Sequence, residues 1–290
     1  MTRTAALACL VALGALAGCS EDVPAAGGLT ESYTLWGALD PTSDTQRLRV
    51  VRITPTITSG SSDPLPATVT STDAATGAVT TWRDSVVTFG DGTIGHVFVA
   101  AFRPAFGSVH VVRVTDPERP EVSALVRVPA AIPAPVLLPT TRQQNAPIYT
   151  GFWPDAPRLN RARVRYTILS RDCAVHVVER EVRPAESVPV EFGWEVRVPM
   201  QTEAPEIVGA LPPPSPYALV EIAMTGEVAS EDWRPPGGVF DPEVLIDPTV
   251  FGNVSGGFGF VGAAYGTALV WQPSPDDLSG TPFRVRFTDC

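Results

Sequence analysis

Hydrophobic and polar residues alternate with a period of two along much of this chain. In "RARVRYTIL" three arginines, Arg161, Arg163 and Arg165, fall on one side, and residues 191–198 and 283–287 alternate in the same way. Successive side chains of a strand point to opposite faces, so the pattern predicts sheets with one buried and one wet face. We expect the arginine rows to be solvated and paired across strands with Asp or Glu, rather than to form a ligand site.

Strand signals recur at regular intervals through the first half of the chain. They are "YTLWGAL", "RLRVVRIT", "PATVTS", "AVTTW", "SVVTFG", "GHVFVAAF", "GSVHVVRV" and "EVSALVRV". A spacing of about 8–12 residues with turn residues between the runs is typical of a sandwich or barrel. We therefore predict an all-β protein whose N-terminal domain, residues 31–128, is an immunoglobulin-like β-sandwich.

Prolines divide the rest of the chain. A proline-rich stretch predicts a linker at 129–148, followed by a second, predominantly antiparallel β domain at 149–290. A further proline cluster at 205–216 predicts a long loop, and residues 229–233 could form one helical turn and no more.

The N-terminus has the composition of an export signal. A short basic start precedes an apolar run at 5–18, which is too short for a spanning helix of about 20 residues. The run ends in "LAGC", which resembles the bacterial lipobox, so we expect residues 1–18 to be removed and Cys19 to carry lipid. The alternative is an ordinary secretory signal with a chance cysteine. Residues 19–30 then form a flexible tether, and "SED" after Cys19 resembles outer-membrane sorting, with the cell surface favoured over the periplasmic face.

Composition narrows the partners. All 21 basic residues are arginine against 31 acidic ones, giving a net charge of -10, and no basic patch offsets it, which disfavours nucleic acid. Of four cysteines, Cys9 leaves with the signal and Cys19 is lipidated. Cys173 and Cys290 remain, and in an oxidising compartment they predict one disulfide, the alternative being two free thiols.

One short motif suggests a nucleotide. Gly257, Gly259 and Gly262 satisfy the dinucleotide-binding spacing G-x-G-x-x-G. A phosphate-binding loop of that kind opens a helix inside a βαβ unit, whereas the residues after Gly262 have the pattern of a strand. We therefore predict structural glycines that let another backbone approach, and neither a nucleotide nor another cofactor.

Catalytic and metal-binding patterns are weak. Cys173 and His176 have C-x-x-H spacing, but on a strand three residues place them on opposite faces, so they cannot share a metal. Ser85, Asp91 and His96 are close in sequence, yet no G-x-S-x-G elbow accompanies them. We assign no catalytic and no metal-binding residue.

Three aromatic residues lie in predicted loops: Trp153, Tyr217 and Trp233. Exposed aromatics on loops are good anchors for a ligand or partner, and we regard these three as contact candidates. The alternative is that they plug the ends of the sandwich cores.

Three stretches together resemble a known family. "YTLWGALDPTSDTQRLRV", "GSVHVVRVTDPERPEVSALVRVP" and "FGNVSGGFGFVGA" are similar to stretches that occur in this order in uncharacterised outer-membrane lipoproteins of the Bacteroidota type. The resemblance implies a gene often found beside TonB-dependent receptors, and it carries over no catalytic residue. The region 199–240 departs from the family, whose members often carry a longer, partly helical segment there.

We therefore expect a lipid-anchored, non-catalytic binding or accessory module, with a TonB-dependent transporter as its partner. A surface hydrolase acting on glycans or peptides is the first alternative, and it requires two carboxylates converging in a cleft about 5–10 Å apart. A structural spacer without a ligand is the second.

Overall fold

A computed structural model describes residues 31–54, 61–90, 92–213, 216–233 and 252–287. Its strands are β1 (Tyr33–Leu39), β2 (Gln46–Arg52), β3 (Thr68–Asp73), β4 (Val79–Thr88), β5 (Ile94–Ala100), β6 (Val109–Asp116), β7 (Arg119–Arg127), β8 (Val136–Leu137), β9 (Thr141–Gln143), β10 (Ala146–Pro154), β11 (Arg158–Ser170), β12 (Val175–Glu181), β13 (Ser187–Val190), β14 (Gly193–Pro199), β15 (Tyr217–Ala229), β16 (Val254–Ser255), β17 (Phe258–Trp271) and β18 (Phe283–Arg284). A helix α1 (Met200–Gly209) and a 3₁₀ turn (Pro184–Glu186) complete the described elements. The prediction of an all-β protein is confirmed.

The N-terminal domain has the strand order of an immunoglobulin constant-type sandwich. One sheet runs β1-β2-β5-β4 and the other β3-β6-β7, which correspond to strands A-B-E-D and C-F-G. "AVTTW" and "SVVTFG" form a single strand, β4, whose first part pairs with β3 and whose second part pairs with β5. The strand order therefore confirms the prediction of an immunoglobulin-like sandwich.

Alternation places the N-terminal core between these sheets. The odd-numbered residues of β1 and the even-numbered residues of β2, β6 and β7 point inward and form one hydrophobic cluster. The Tyr33 hydroxyl donates a 2.5 Å hydrogen bond to Asp116 inside it. That bond, ahead of the backbone amide of Glu118, holds the pKa of Asp116 below its usual range.

The C-terminal domain is a second sandwich. Its first sheet contains β12-β11-β15-β17, with β18 beside β15, and its second sheet contains β13-β14-β10 with β8 and β9. All of these pairings are antiparallel except that of β15 with β18. The expected arginine pairing is found, because Arg161 contacts Glu227, Arg163 contacts Glu179 and Arg165 contacts Glu221.

The helix α1 corrects the loop predicted at 205–216. Pro205 lies inside it, while Met200, Glu203, Ala204 and Ile207 are buried. Pro205 removes one intrahelical hydrogen bond, the one that its N–H would donate to the carbonyl of Gln201, and burial of an amphipathic face offsets that cost. Among the described residues, no helix has the length and apolarity required to cross a membrane.

Part of the predicted linker belongs to the second sandwich. Within 129–148, β8 and β9 both pair with β10, which itself starts at Ala146. The prolines there interrupt strands at an edge of the sheet, where a missing N–H costs little.

Strand β17 joins the two sandwiches. Its residues 258–263 pair in parallel with β1, and residues 264–271 pair antiparallel with β15. Val261 and Ala263 lie in the N-terminal core, while Tyr265 lies in the C-terminal core. One continuous strand therefore contributes to both cores and fixes the two sandwiches to each other.

Candidate functional site

A cleft opens where β17 changes partner. Strand β1 ends at Leu39, opposite Ala263, and the pairing with β15 begins at Ala264. The step leaves a concave space of about 440 Å³ between the end of β1 and the outer faces of β11 and β15. Its size is in the range of small-ligand sites, which run from roughly 300 to 1,000 Å³.

Aromatic side chains form one wall of the cleft. Trp36 points outward from β1 and is 37% exposed. Trp233 and Phe260 pack edge to face with their ring centroids 5.3 Å apart, and both are buried beside it. Gly262 makes room for them, because a Cβ there would lie within 2.6 Å of the Trp233 ring. The Trp233 indole N–H has no hydrogen-bond partner among the described residues.

Charged side chains form the opposite rim. Arg161 lies at a β-bulge in β11, where the register shifts between Asn160 and Arg163, and its φ is +47°. Bulges redirect side chains, and positive φ at a non-glycine residue is strain that surrounding structure must sustain. The redirected guanidinium lies 3.3 Å from the Glu227 carboxylate. Arginine and glutamate together present hydrogen-bond donors and acceptors to the cleft.

Asp40 adds a second carboxylate to the cleft. Its Oδ1 accepts hydrogen bonds from the backbone N–H and the hydroxyl of Thr42, at 2.7 and 2.6 Å. The cleft thus contains both aromatic side chains and two carboxylates, Asp40 and Glu227.

Gly266 keeps the floor of the cleft open. A Cβ built on it would meet no atom within 4 Å, in contrast to most glycines of β17. The cleft continues over Gly266 and Thr225 into a second depression of about 560 Å³ that Arg163 borders. The two depressions share Arg161, Glu227 and Gly266, so they form one groove across β11, β15 and β17.

The aromatic contact candidates are corrected by their burial. Trp153 lies in β10 rather than in a loop, is fully buried, and donates a 2.8 Å hydrogen bond from its indole to Thr267. Tyr217 is the first residue of β15 and is 3% exposed. Neither can touch an external ligand, because the core of the C-terminal sandwich encloses both. Trp233 does lie in a loop, and it lines the cleft. The exposed aromatic residue of the cleft is Trp36, which lies in the middle of β1, where the alternation of the strand could have identified it as outward-facing.

The glycines of the nucleotide-like motif lie against other backbone. A Cβ on Gly257 would be 2.3 Å from the carbonyl oxygen of Tyr33, and one on Gly259 would be 2.1 Å from that of Leu35. Strand β16 pairs with β7 and β17 pairs with β1, so the segment between them crosses from one sheet to the other. Residues of β17 follow Gly262 where a phosphate-binding loop would begin a helix.

The described histidines His96 and His176 do not form a catalytic triad with a serine and a carboxylate. His96 Nδ1 lies 2.9–3.0 Å from both carboxylate oxygens of Asp84, a partner that sequence did not suggest, but its Nε2 faces the carbonyl oxygen of Ser61. Asp91 lies outside the described residues. His176 contacts the Ser170 hydroxyl, and that hydroxyl donates to Asp172, so the carboxylate does not orient the imidazole.

Metal-binding clusters of His, Cys, Asp and Glu are absent from the described residues. Cys173 is disulfide-bonded, which removes it as a metal ligand. Cys19 and Cys290 lie outside the described residues.

Three buried titratable residues outside the cleft, His110, Tyr166 and Glu203, are paired with other side chains of the protein. Burial lowers the pKa of His110, and the nearby Asp73 carboxylate opposes that shift. Tyr166 has a raised pKa because of burial and the adjacent Glu203 carboxylate, to which its hydroxyl donates at 2.9 Å. Glu203 is fully buried and also pairs with Arg180, so α1 is held to the sheet by an ionic contact.

Comparison with known proteins yields weak similarity. No protein-family model and no curated protein matches the chain. Among solved structures it is similar to bovine butyrophilin (11% identity over 67% of this chain and 91% of that one, TM-score 0.21). It is also similar to a tetra-tandem repeat in the extending region of a large adhesion protein, with 11% identity over 83% of this chain and 49% of that one and a TM-score of 0.21. A third similar structure is Dpr2 Ig1-Ig2 in complex with DIP-Theta Ig1-Ig3, with 11% identity over 59% of this chain and 84% of that one and a TM-score of 0.18. These TM-scores support no conclusion about function.

Proposed function

We propose that the chain is a non-catalytic binding module of the cell envelope, held to the outer membrane by lipid on Cys19, and that its ligand occupies the cleft beside Trp36. The observation that supports this most is the partly exposed indole of Trp36 in a cleft whose walls belong to two sandwiches joined by β17. A cleft built on strands shared by two cores is preorganised, which reduces the cost of ordering side chains on binding.

Carboxylates in the cleft do not favour the hydrolase alternative. Glu227 is paired with Arg161, and Asp40 uses one oxygen to cap the turn at Thr42. Both carboxylates already have protein partners, and a carboxylate that only accepts hydrogen bonds from a ligand can keep them. The spacer alternative predicts no sizeable cavity, and the cleft of about 440 Å³ argues against it.

Ligand occupancy can be tested without knowing the ligand. Purified protein is labelled with hydroxyl radicals in the presence and absence of envelope and culture-fluid extract, and oxidation is read by mass spectrometry. We expect the extract to slow oxidation of Trp36 and to leave Phe192, which is 67% exposed and not part of the cleft, unchanged. Gly266→Phe places a ring in open space at the cleft floor and should abolish the effect of the extract. Equal oxidation of Trp36 with and without extract would overturn the proposal.

Anchoring and partnership need separate tests. Cys19→Ser should move the protein from the membrane fraction to the soluble envelope fraction, because a single polar residue replaces the lipid-bearing thiol. The transporter partnership is tested by affinity capture of the lipid-bearing protein from solubilised outer membranes. Stoichiometric recovery of a TonB-dependent receptor supports an accessory role, and recovery of the lipoprotein alone contradicts it.

A further inference from the structure

We infer that the ligand of the cleft is a neutral oligosaccharide, an assignment that rests on the proposed binding function. The Trp36 indole is partly exposed on a strand whose backbone is paired on both sides, to β2 and to β17, so the ring is held on a rigid support. The electron-rich face of an indole attracts groups with outward-pointing, partly positive C–H hydrogens. A pyranose ring has such an apolar face on one side and hydroxyls around its edge.

Hydroxyls at the sugar's edge match the rim opposite. Each hydroxyl both donates and accepts hydrogen bonds, so it needs donors and acceptors side by side. Arg161 and Glu227 provide this combination 3.3 Å apart, and Asp40 adds acceptor capacity beside the end of β1. Bonds to ionised groups are the stronger class of hydrogen bond, which compensates for the water that a sugar must lose.

Charge disfavours the ionic ligands that could compete. The two carboxylates and one guanidinium of the cleft leave one net negative charge, and the chain as a whole carries a charge of -10. That excess repels anions, including acidic polymers and phosphorylated groups. A cation would have to compete with Arg161 for Glu227 and with Thr42 for Asp40.

Groove length points to more than one sugar unit. The cleft continues past Gly266 and Thr225 into the second depression, where the exposed Ala268 presents only a methyl group. A chain of sugars can follow this path with its first ring on Trp36 and later hydroxyls near Arg163. A ligand in the groove also explains the strained bulge at Arg161. Without the extra residue of the bulge, the Arg161 side chain would not point into the groove.

The test uses a panel of neutral oligosaccharides derived from glucans, mannans, xylans, galactans and chitin, titrated by calorimetry into the mature protein. We expect saturable binding of at least one member. Trp36→Ala and Glu227→Gln should each weaken it by about tenfold or more, since one factor of ten corresponds to roughly 1.4 kcal/mol. Phe192→Ala removes a more exposed aromatic outside the cleft and should leave the affinity unchanged. Thermal unfolding of each variant verifies that it is folded.

Failure of this inference can be separated from failure of the proposed function. If extract protects Trp36 from oxidation but no oligosaccharide binds, the glycan assignment is wrong and a binding module remains. If an oligosaccharide binds with equal affinity to wild type and Trp36→Ala, the cleft assignment is wrong. New reducing ends during the titration would keep the glycan and overturn the non-catalytic part of the proposed function. An acidic peptide that binds where sugars do not would also overturn the assignment.

Discussion

Replacing Gly259 with alanine should destabilise the protein strongly, although it adds a single methyl group. Gly259 has φ +105°, a conformation that L-residues rarely adopt, and it pairs directly with Leu35 across the parallel β1–β17 ladder. A Cβ there would lie 2.1 Å from the Leu35 carbonyl oxygen, well below the 3.0 Å that real Cβ atoms essentially never breach. Both atoms are backbone-fixed, so no rotamer change can relieve the overlap.

The magnitude follows from two separate costs. Holding a non-glycine residue at such a φ costs about 1–3 kcal/mol. Displacing β17 from β1 to admit the methyl group is an overpacking cost of roughly 1–3 kcal/mol more. Alanine returns about 0.4–1 kcal/mol by restricting the unfolded chain. The expected net loss is therefore about 1–5.5 kcal/mol, a large part of the roughly 5–15 kcal/mol that stabilises a typical domain.

Urea unfolding monitored by tryptophan fluorescence measures this loss as a lower midpoint at constant slope. Gly266→Ala is the matched control, because it lies in the same strand and its added Cβ would meet no atom within 4 Å. We expect the control to remain within about 0.5 kcal/mol of wild type. If Gly259→Ala unfolds within that same margin of Gly266→Ala, the steric explanation of the glycine motif is refuted.

Three further predictions concern the cores and the disulfide. Glu203→Ala should cost about 3 kcal/mol in urea unfolding, because it removes the charged acceptor of both the buried Tyr166 hydroxyl and the Arg180 Nε. Glu206→Ala on the same helix removes an exposed ion pair and should cost under about 1 kcal/mol. The pKa of His110 is lower in the folded protein than in the unfolded chain, so the unfolded chain takes up a proton first as the pH falls. The free energy of unfolding should therefore decrease as the pH drops below about 6.5 toward the lower, folded-state pKa. His110→Gln should flatten that part of the stability profile. Peptide mapping without reduction should link Cys173 to Cys290.

Each of these has an outcome that contradicts it. Equal losses in Glu203→Ala and Glu206→Ala would show that the buried carboxylate is not what holds α1. An unchanged pH profile in His110→Gln would assign the dependence to another group. A peptide that joins Cys173 to a different cysteine, or to none, would refute the pairing.

The sequence by itself determined many of the strands, above all in the N-terminal half, and which of their faces are buried. "YTLWGAL" matches β1 residue for residue, and Arg163 and Arg165 of β11 are exposed with glutamate partners, as alternation requires. This works because the period of a strand is local: each residue's face depends only on its parity, and hydrophobic burial selects the parity. The structural role of the glycines in the G-x-G-x-x-G motif was also predictable from the sequence, because no helix signal follows them.

Tertiary structure alone decided the site. Trp36, Arg161 and Glu227 are far apart in sequence, and they meet only because β17 exchanges β1 for β15 at Ala263. Pairing partners of distant strands leave no local pattern. The aromatic residues that the sequence indicated as contact candidates therefore include Trp153, which the second core encloses. The helix containing Pro205 was hidden for a related reason. Burial of its apolar face against the second sandwich outweighs a local propensity that, read alone, indicates a loop.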